Sequence, residues 1–586
     1  MKTLVDKKWI FVIPAFLGLG FTLLAVFAVQ LGLDHNATWG GRRILALALG
    51  MSLSLSSLAL RRARQHASCL ADRGRKLPGL VSLGAGACAL FVVAAYVWFI
   101  SLGRWTVWPA SSDYYDRLAT AFRHGQLNID TQLDPALAEL PNPYDPDARR
   151  DIQGLGDIWD MSLYNGKIYL YFGAAPALVV AAVKSFYPGQ IGDATLAFGF
   201  LSGLFVFESL LVWLIWRRFY ADITGWTIVL GLLVIGLAHP VPWMLMRPRI
   251  YEAAIAAGQF FLVGGFYFAL TGHCRHSPSI WWWVLAGSFW SLAVGTRATL
   301  VIPVVFLTIM VLHRMHRGTP EAAEARRFPR AFLAMTLPMV VGAILIGWHN
   351  WARFESILET GLRYQITMLD LNTAHGSILS PAHIPPNLYI YLINPPIMSD
   401  VFPFVRPIRA EDVIAYFSNH SPLVYNAERI TGILYSTPFL LFAMIPAATA
   451  LARRFQRKPA QANTEDIGAA RGPLQWAVLS MFGSFALALM SLLLFFYGTV
   501  RYLLEITPFA VMLAMIGFWQ GYRGLSKRPL LHAPYAIAAG GLATASIVVS
   551  VLLSFSSDPQ WIRLNNPALL THLILFFLKV SRRLGF

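Results

Sequence analysis

The polar run from Gly103 to Lys167 reads GRWTVWPASSDYYDRLATAFRHGQLNIDTQLDPALAELPNPYDPDARRDIQGLGDIWDMSLYNGK and stands between two strongly apolar segments. It holds ten of the thirty acidic residues of the chain in about a ninth of its length. An ionised carboxylate inside hydrocarbon is costly, so acids collected between apolar segments belong on the water side of a membrane boundary. We therefore interpret this run as the active-site loop of a membrane enzyme.

Composition indicates a polytopic membrane protein, because 56% of the 586 residues are hydrophobic and only 13% are charged. A helix that crosses ~30 Å of hydrocarbon needs about twenty apolar residues. The apolar runs are continuous rather than alternating, which favours helices over barrel strands. We predict an all-α polytopic bundle of about 12 to 14 transmembrane helices, with short surface helices in its acidic first outer loop. The candidate spans are 9–31, 44–60, 79–102, 168–187, 194–216, 224–245, 253–271, 280–295, 298–313, 331–348, 431–451, 475–496, 501–520 and 533–553, with a further one near 567–580.

The net charge of +17 comes from basic residues in short links between spans, such as 61–76 and 314–330. This distribution is typical of cytoplasmic loops, so no nucleic-acid partner is expected. With the amino terminus inside, the two long polar loops both lie on the non-cytoplasmic face. The runs between Lys167 and Arg314 fit this topology only if one of them is broken or re-entrant.

Within the first loop, the sequence predicts a short helix that lies along the membrane surface. Asp113 suits the N-terminal end of its dipole, apolar residues recur at helical spacing from Tyr115 to Phe122, and Gly125 ends it. The passage DPALAELPNPYDPDARR that follows predicts ordered turns, and YNGK predicts another turn. The three cysteines are too dispersed for a disulfide framework or a metal set.

The loop also carries a family resemblance. An acidic residue, then YxxLAxAFxxGQL, NPYDP and WDxSLYNGKxYLYFGxxPAL together resemble bacterial integral-membrane glycosyltransferases of the GT-C type, a superfamily that includes the protein O-mannosyltransferases and aminoarabinose transferases. The resemblance implies transfer of a sugar from a polyprenyl-phosphate carrier to an acceptor, with an acidic residue of the first outer loop as base. In that family the acid stands further ahead of the YxxxA stretch than Asp113 does, so Asp113, Asp116, Asp145 and Asp160 all remain candidates.

The chemistry requires a carboxylate that takes the proton of the acceptor hydroxyl, and cations that stabilise the departing lipid phosphate. Asp113 could instead be a helix cap, and Asp145 or Asp160 could simply belong to a turn. Arg501 and Glu505 are expected to pair on one helix face. Glu252 could neutralise one of the nearby arginines. The substrate-binding candidates are Tyr114, Tyr115, Lys167, Tyr169, Arg247, Arg249, Arg297, His349 and Arg501.

The apolar runs and the two polar loops divide the chain into four expected parts. Residues 1–78 form a transmembrane hairpin and a basic cytoplasmic link, and 79–348 form a GT-C-like catalytic module that includes loop 103–167. Residues 349–430 form a second outer loop that selects the acceptor, and 431–586 form C-terminal transmembrane helices. No cofactor is expected to be required, although the acids of the first loop could hold a divalent ion.

The expected partners are a polyprenyl-phosphate-linked sugar donor, a glycan, lipid or protein acceptor, and membrane lipids. The expected location is the bacterial cytoplasmic membrane, with the site on its outer face. Two alternatives are a transporter or flippase of a lipid-linked sugar, and a polymerase or ligase of surface glycans. The absence of internal repeats disfavours a transporter, and the early position of the acidic loop disfavours a polymerase.

Overall fold

The computed structural model describes residues 9–28, 31–33, 43, 46, 50, 79–274, 279–317, 328–374, 378–420, 424–446, 448–449 and 465–584. Most of the predicted span 44–60 and the basic link 61–76 lie outside these residues. The described chain is helical, with six strands of only two or three residues. The predicted class, an all-α polytopic membrane protein, is therefore confirmed.

The helices and strands follow the apolar pattern of the sequence. The α-helices of the described residues are α1 (Trp9–Val26), α2 (Gly79–Ile100), α3 (Tyr114–Arg123), α4 (Pro135–Glu139), α5 (Ala175–Val183), α6 (Asp193–Phe219), α7 (Trp226–Leu237), α8 (Val241–Met246), α9 (Ile250–His273), α10 (Trp281–Thr296), α11 (Val301–Arg317), α12 (Phe328–Phe354), α13 (Ile384–Leu388), α14 (Glu411–His420), α15 (Ile433–Ser436), α16 (Glu465–Leu494), α17 (Thr507–Leu525), α18 (Pro529–Ser554), α19 (Pro559–Asn565) and α20 (Pro567–Leu584). The strands form three two-stranded pairs: β1 (Ser162–Tyr164) with β2 (Lys167–Tyr169), β3 (Ile397–Met398) with β4 (Val405–Arg406), and β5 (Asn426–Ala427) with β6 (Tyr497–Gly498).

Among the described residues, seven helices are long and apolar enough to cross a membrane. They lie in α2, α6, α9, α11, α12, α16 and α18. Three shorter apolar helices lie at Phe16–Ala25, Trp226–Leu237 and Pro567–Lys579. Helix α9 is central, because 89% of its most apolar window is buried, whereas only 6% of that window in α12 is buried. Helix α12 therefore lies at the periphery and offers its apolar side chains to lipid.

The predicted span 168–187 does not form a long helix. It contains most of β2 and then α5, whose nine residues extend only ~14 Å. The described parts of the segment from Lys167 to Arg314 therefore pass along the bundle five times, through α6, α7 with α8, α9, α10 and α11. Arg217 and Arg218 are in the last turn of α6, whose first residue, Asp193, binds the first polar loop, so they lie at the opposite end of that helix.

At one end of the bundle, here called the loop end, the first polar loop and the segment just after it bind four helix termini. The carbonyl of Ser112 accepts from the first amide of α6, at 2.8 Å, and the Ser112 hydroxyl accepts from the Ile250 amide, at 3.1 Å. The Gly173 amide donates to the carbonyl of Thr296, at 3.1 Å. A guanidinium of α12, from Arg353, donates to the carbonyl of Leu170 at 2.9 Å. These bonds fix the loop on the helices that it covers.

The opposite end, here called the basic end, joins other helix termini. The side chain of Arg523, in the last turn of α17, pairs with Asp222, just beyond α6. The ring of His273 stacks on Trp476 with centroids 4.7 Å apart, and the Trp476 indole donates to the carbonyl of Met310 at 2.8 Å. Contacts at both ends therefore tie the amino-terminal and carboxyl-terminal helices into one bundle.

Candidate active site

The first short helix of the loop, α3, forms where the sequence predicts it. It ends at Arg123, and Gly125 follows at a φ of +72°, a left-handed conformation that glycine adopts readily. Asp113 occupies the N-cap position, but its side chain makes no capping hydrogen bond. It pairs with Arg117 at 2.8 Å and accepts from the side chain of Gln190 at 2.6 Å. These two partners hold the Asp113 carboxylate at the side of the helix.

Asp145 and Asp116 take part in local structure. One oxygen of Asp145 accepts from the backbone N–H of Asp147 at 2.9 Å, which is an Asx turn. Asp116 is buried, pairs with Lys184 at 2.9 Å and accepts from the amide of Ile191 at 2.9 Å. These contacts are sufficient to explain both carboxylates.

Asp160 differs from the other aspartates, because it stands between a short 3₁₀ turn and β1 and is partly exposed. Its backbone has a φ of +59°, a left-handed conformation that Asp tolerates better than most residues. Its amide donates to the carbonyl of Ile366, at 2.8 Å, which connects the first polar loop to the second. One carboxylate oxygen accepts from the hydroxyl of Tyr251 at 2.6 Å. The loop thus presents this carboxylate at the N-terminus of α9.

Arg501 lies directly behind Tyr251. Its guanidinium carbon is 4.6 Å from the centre of the Tyr251 ring, and Nη1 is 3.2 Å from an oxygen of Glu428. The prediction that Arg501 pairs with Glu505 is wrong. Both residues lie in a 3₁₀ segment, Val500–Glu505, whose tighter turn separates side chains that an α-helix would place on one face. A carboxylate of the second polar loop holds Arg501 instead.

Glu505 pairs with Arg297, at 2.6 Å. Both side chains are largely buried, and Arg297 interrupts the helical segments between α10 and α11. Arg297 and Arg501 each lie 5.7 Å from the centre of the Tyr502 ring, so both guanidinium groups contact one aromatic residue. Burial raises the pKa of Tyr171 to about 12 against the opposing charge of Arg297, which keeps this hydroxyl protonated.

A cavity of about 500 Å³ opens beside Arg297, between α5, α10 and α12. Its walls are mostly apolar, and Leu178 and Leu345 of these walls are more than half exposed, towards the side where lipid would lie. The polar side chains that line it are Tyr171, Ser291, Thr296, Arg297, Thr299, His349, Asn350, Arg353, Thr360 and Gln126. The cavity therefore offers a mostly apolar volume with cationic groups in its wall.

Arg353 is the buried cation of this cavity that the sequence did not single out. Three of its N–H groups donate, to the carbonyls of His349 and Leu170 and to the side-chain oxygen of Asn350, at 3.2, 2.9 and 2.9 Å. A guanidinium carries five N–H groups, so two remain for another acceptor. Within the described residues no carboxylate lies within 4.0 Å of it. A buried guanidinium without a carboxylate is costly and suits an anionic ligand.

The structure brings only some of the predicted residues to this region. His349 lines the cavity, and its Nε2 has no hydrogen-bond partner among the described residues. Tyr115 is fully buried, and burial raises its pKa well above the usual value, with Asp193 adding to the rise and Arg297 opposing it. Lys167 is exposed at the start of β2 and does not line the cavity.

Two predicted tyrosines stabilise the loop itself. Tyr169 is buried against the ring of Phe354, with centroids 5.4 Å apart. The hydroxyl of Tyr114 donates to the carbonyl of Asp157, at 3.3 Å, and its ring lies beside the Arg117 guanidinium. These contacts account for both side chains without a ligand.

Arg247 and Arg249 share one carboxylate. Asp558, at the start of α19, lies 3.1 Å from the Arg249 guanidinium and 3.7 Å from that of Arg247. Glu252 accepts from the backbone amide of Arg249, at 3.1 Å, rather than pairing with its side chain. The two arginines therefore join α9 to the carboxyl-terminal helices at the loop end.

Among the described residues, no three His, Cys, Asp or Glu side chains converge as a metal site would require. The groups that the sequence missed are Tyr251, Arg353 and Glu428, and it assigned Glu505 to the wrong arginine. The signal for Tyr251 was its place in RPRIYEAA beside the chosen arginines, and Arg353 stands in HNWARF beside the chosen histidine. Glu428 gave no signal, because its partner Arg501 is distant in the sequence.

No family model matches the chain, and no curated protein matches it. Solved structures of an oligosaccharyltransferase from Archaeoglobus fulgidus are similar to it. The crystal structure of that enzyme in the apo form is 13% identical in sequence and has a TM-score of 0.44. The match covers 83% of this chain and 58% of the length of that structure. The archaeal oligosaccharyltransferase AglB in complex with an inhibitory peptide and a dolichol-phosphate is 12% identical, covers 84% and 59%, and has a TM-score of 0.38. A form tethered to an acceptor peptide is 13% identical, covers 82% and 57%, and also has a TM-score of 0.38. The chain thus spans less than two thirds of the length of these structures.

Proposed function

We propose that the chain is a membrane glycosyltransferase of the GT-C type that moves a sugar from a polyprenyl-phosphate carrier to an acceptor hydroxyl. The observation that carries the proposal is the position of Asp160. Its partly exposed carboxylate accepts from the hydroxyl of Tyr251. The Tyr251 ring lies under the buried Arg501 and packs against Phe172 of the cavity wall, with ring centroids 5.5 Å apart. The sequence resemblance of the first loop points to the same activity.

Asp160 is the general base in this proposal. The acceptor hydroxyl loses its proton as its oxygen attacks the anomeric carbon, and the bond from that carbon to the phosphate oxygen breaks. A carboxylate within hydrogen-bond reach of the hydroxyl takes the proton. Asp113, Asp116 and Asp145 are poorer candidates, because cations or turn amides already occupy their oxygens.

The lipid phosphate leaves with additional negative charge, and buried cations stabilise that charge better than cations in water. Arg353 lines the cavity with two unused N–H groups and without a carboxylate partner in the described chain. Arg297 lines the same cavity but is already paired with Glu505. We therefore assign the phosphate chiefly to Arg353 and the polyprenyl chain to the apolar part of the cavity.

The orientation follows from the charges of the two ends. The links richest in basic residues in the sequence, such as 61–76 and 314–330, are typical of cytoplasmic segments, so we assign the loop end to the outer face of a bacterial cytoplasmic membrane. The second polar loop, which contacts the first one through Ile366 and Asp160, is then the place for acceptor selection. The acceptor is a glycan, a lipid or a protein, and no divalent cation is required.

The test is sugar transfer from a panel of polyprenyl-monophosphate-linked sugars by the full chain in nanodiscs. Asp160→Asn removes the base, so we expect transfer to fall by about 10²- to 10⁴-fold, while donor binding and thermal unfolding stay close to wild type. Asp145→Asn is the matched control, because its carboxylate only caps a turn. Wild-type transfer by Asp160→Asn would overturn the assignment. Binding of the donor without consumption by every form, including wild type, would favour the transporter alternative.

A further inference from the structure

The Asp160 carboxylate depends on one side chain for its direction. Within the described part of the chain, its oxygens accept a side-chain hydrogen bond from the hydroxyl of Tyr251, at 2.6 Å. The backbone of Asp160 is held separately, by its amide to Ile366 and its carbonyl to Gln365. The loop therefore fixes where the residue stands, and Tyr251 fixes how its carboxylate is turned.

Tyr251 is itself held by a cation. The Arg501 guanidinium lies over its ring, 4.6 Å from the centroid, and Arg501 is only 9% exposed. A cation above a phenol ring is attracted to the ring, and it also strengthens the O–H group as a donor by drawing electron density from it. The interaction thus reinforces the hydrogen bond from Tyr251 to Asp160.

Arg501 is positioned in turn by the second polar loop. Glu428 accepts from its guanidinium, at 3.2 Å, and also accepts from the hydroxyl of Thr499 at 2.8 Å. The amide of Glu428 donates to the carbonyl of Gly498, at 2.8 Å, which continues the short β5–β6 pairing. A side chain of the second loop is therefore connected to the first loop by contacts that cross α9.

We propose that Tyr251 and Arg501 are positioning residues for the base Asp160, and that Glu428 transmits the placement of the second polar loop to it. The inference rests on the proposed function. It makes the direction of the base depend on a phenol O–H group of α9. It also gives the second loop a means to act on the reaction besides contact with the acceptor.

Other charged groups also face this region. Glu252 lies on the same helix as Tyr251, one residue further along, and is buried. Arg297 lies 5.7 Å from the centre of the Tyr502 ring and pairs with Glu505. The hydroxyl of Tyr251 is the group whose removal changes the Asp160 carboxylate directly.

The first experiment measures transfer by Tyr251→Phe, which removes only the hydroxyl. We expect kcat to fall about tenfold with little change in the KM for the donor, because the base is then misdirected in the transition state while donor binding is unchanged. The control is Tyr96→Phe, which removes a buried hydroxyl that donates to the carbonyl of Gly236 at 2.8 Å, away from both loops. Glu428→Gln is expected to cause a smaller change in the same direction.

The second experiment needs no donor substrate. A carbodiimide modifies carboxyl groups that it can reach, so the rate of labelling of Asp160 at one fixed pH, measured by mass spectrometry, reports how firmly its carboxylate is held. We expect Asp160 in Tyr251→Phe to be labelled faster than in wild type and in Tyr96→Phe, because its hydrogen bond to Tyr251 is lost. An unchanged labelling rate and an unchanged kcat in Tyr251→Phe would overturn the positioning role of Tyr251. If that occurs while Asp160→Asn is inactive, the proposed function stands. If Asp160→Asn transfers sugar normally, the proposed function fails independently.

Discussion

The carboxylate of Asp193 lies 3.1 Å from the backbone nitrogen of Tyr114, so the first residue of α6 caps the first turn of α3 from 79 positions away in the sequence. Its other oxygen accepts from the amide of Tyr115, at 3.3 Å. Asp113, the neighbour that the sequence suggested as a cap, turns to Arg117 instead. The cap therefore also anchors the first polar loop to the bundle.

Replacing Asp193 with Ala is expected to lower the free energy of unfolding by about 1–2 kcal/mol, the usual loss for a helix cap. Asp113→Ala is expected to lower it by about 0.3–0.5 kcal/mol, because it removes an i,i+4 ion pair at the surface. Thermal unfolding of both variants in one detergent measures the difference. A greater loss with Asp113→Ala would show that the cap does not depend on Asp193.

The buried pair of Arg297 and Glu505 is expected to be far more costly to break than to replace. Removing one partner leaves a buried charge unpaired, so Arg297→Met or Glu505→Leu alone is expected to destabilise by about 3–5 kcal/mol. The double variant removes both charges and is expected to recover most of that loss. A double-mutant cycle on thermal unfolding checks this prediction. Additive losses would mean that the pair does not interact in the folded protein.

Arg353→Gln is expected to weaken binding of polyprenyl phosphate by about 10- to 100-fold, as for the loss of a charged hydrogen bond to an anion. Arg363→Gln is the matched control, because Arg363 is half exposed and pairs locally with Glu359 at 2.7 Å. Binding of the carrier phosphate to the full chain in nanodiscs is measured for both variants, with the melting temperature as a check on folding. Equal affinities in the two variants would remove Arg353 from the phosphate site.

The contact between the two polar loops is expected to weaken in acid. Burial alone would raise the pKa of Asp370, but hydrogen bonds from the side chain of Asn142 and the amide of Asn372, each at 2.9 Å, outweigh it and hold the pKa below its usual range. The stabilisation is therefore present above the unfolded-state pKa of about 3.9 and is lost as the pH falls through the lower folded-state pKa.

Asn142→Ala tests this pH dependence, because it removes one of the hydrogen bonds that favour the ionised form of Asp370. We expect the variant to melt below wild type at pH 7 and the gap to narrow towards pH 3. Thermal unfolding from pH 3 to 7 provides the measurement. A gap that stays constant with pH would show that the Asp370 carboxylate does not contribute through its charge.

The sequence predicted the broad architecture well because its signals are local. Apolar runs of sufficient length gave α2, α6, α9, α12 and α18, and the helix that begins at Tyr114 was found from its spacing and its closing glycine. The prediction of a membrane span at 168–187 was wrong, because an apolar run by itself does not distinguish a membrane helix from a buried strand followed by a short helix. The pairing of Arg501 was wrong because the rule for α-helices was applied to a 3₁₀ segment.

The sequence by itself determined that the chain is an all-α membrane protein and that one early loop carries its acids. Both follow from composition and from the cost of charge in hydrocarbon, which act on each segment separately. Only the tertiary structure decided which partners the acids and arginines have. Asp160 and its partner Tyr251 are 91 positions apart in the sequence, and Arg297 and its partner Glu505 are 208 positions apart. A hydrogen bond acts over about 3 Å, so such partners are set by how the helices pack and not by spacing along the chain.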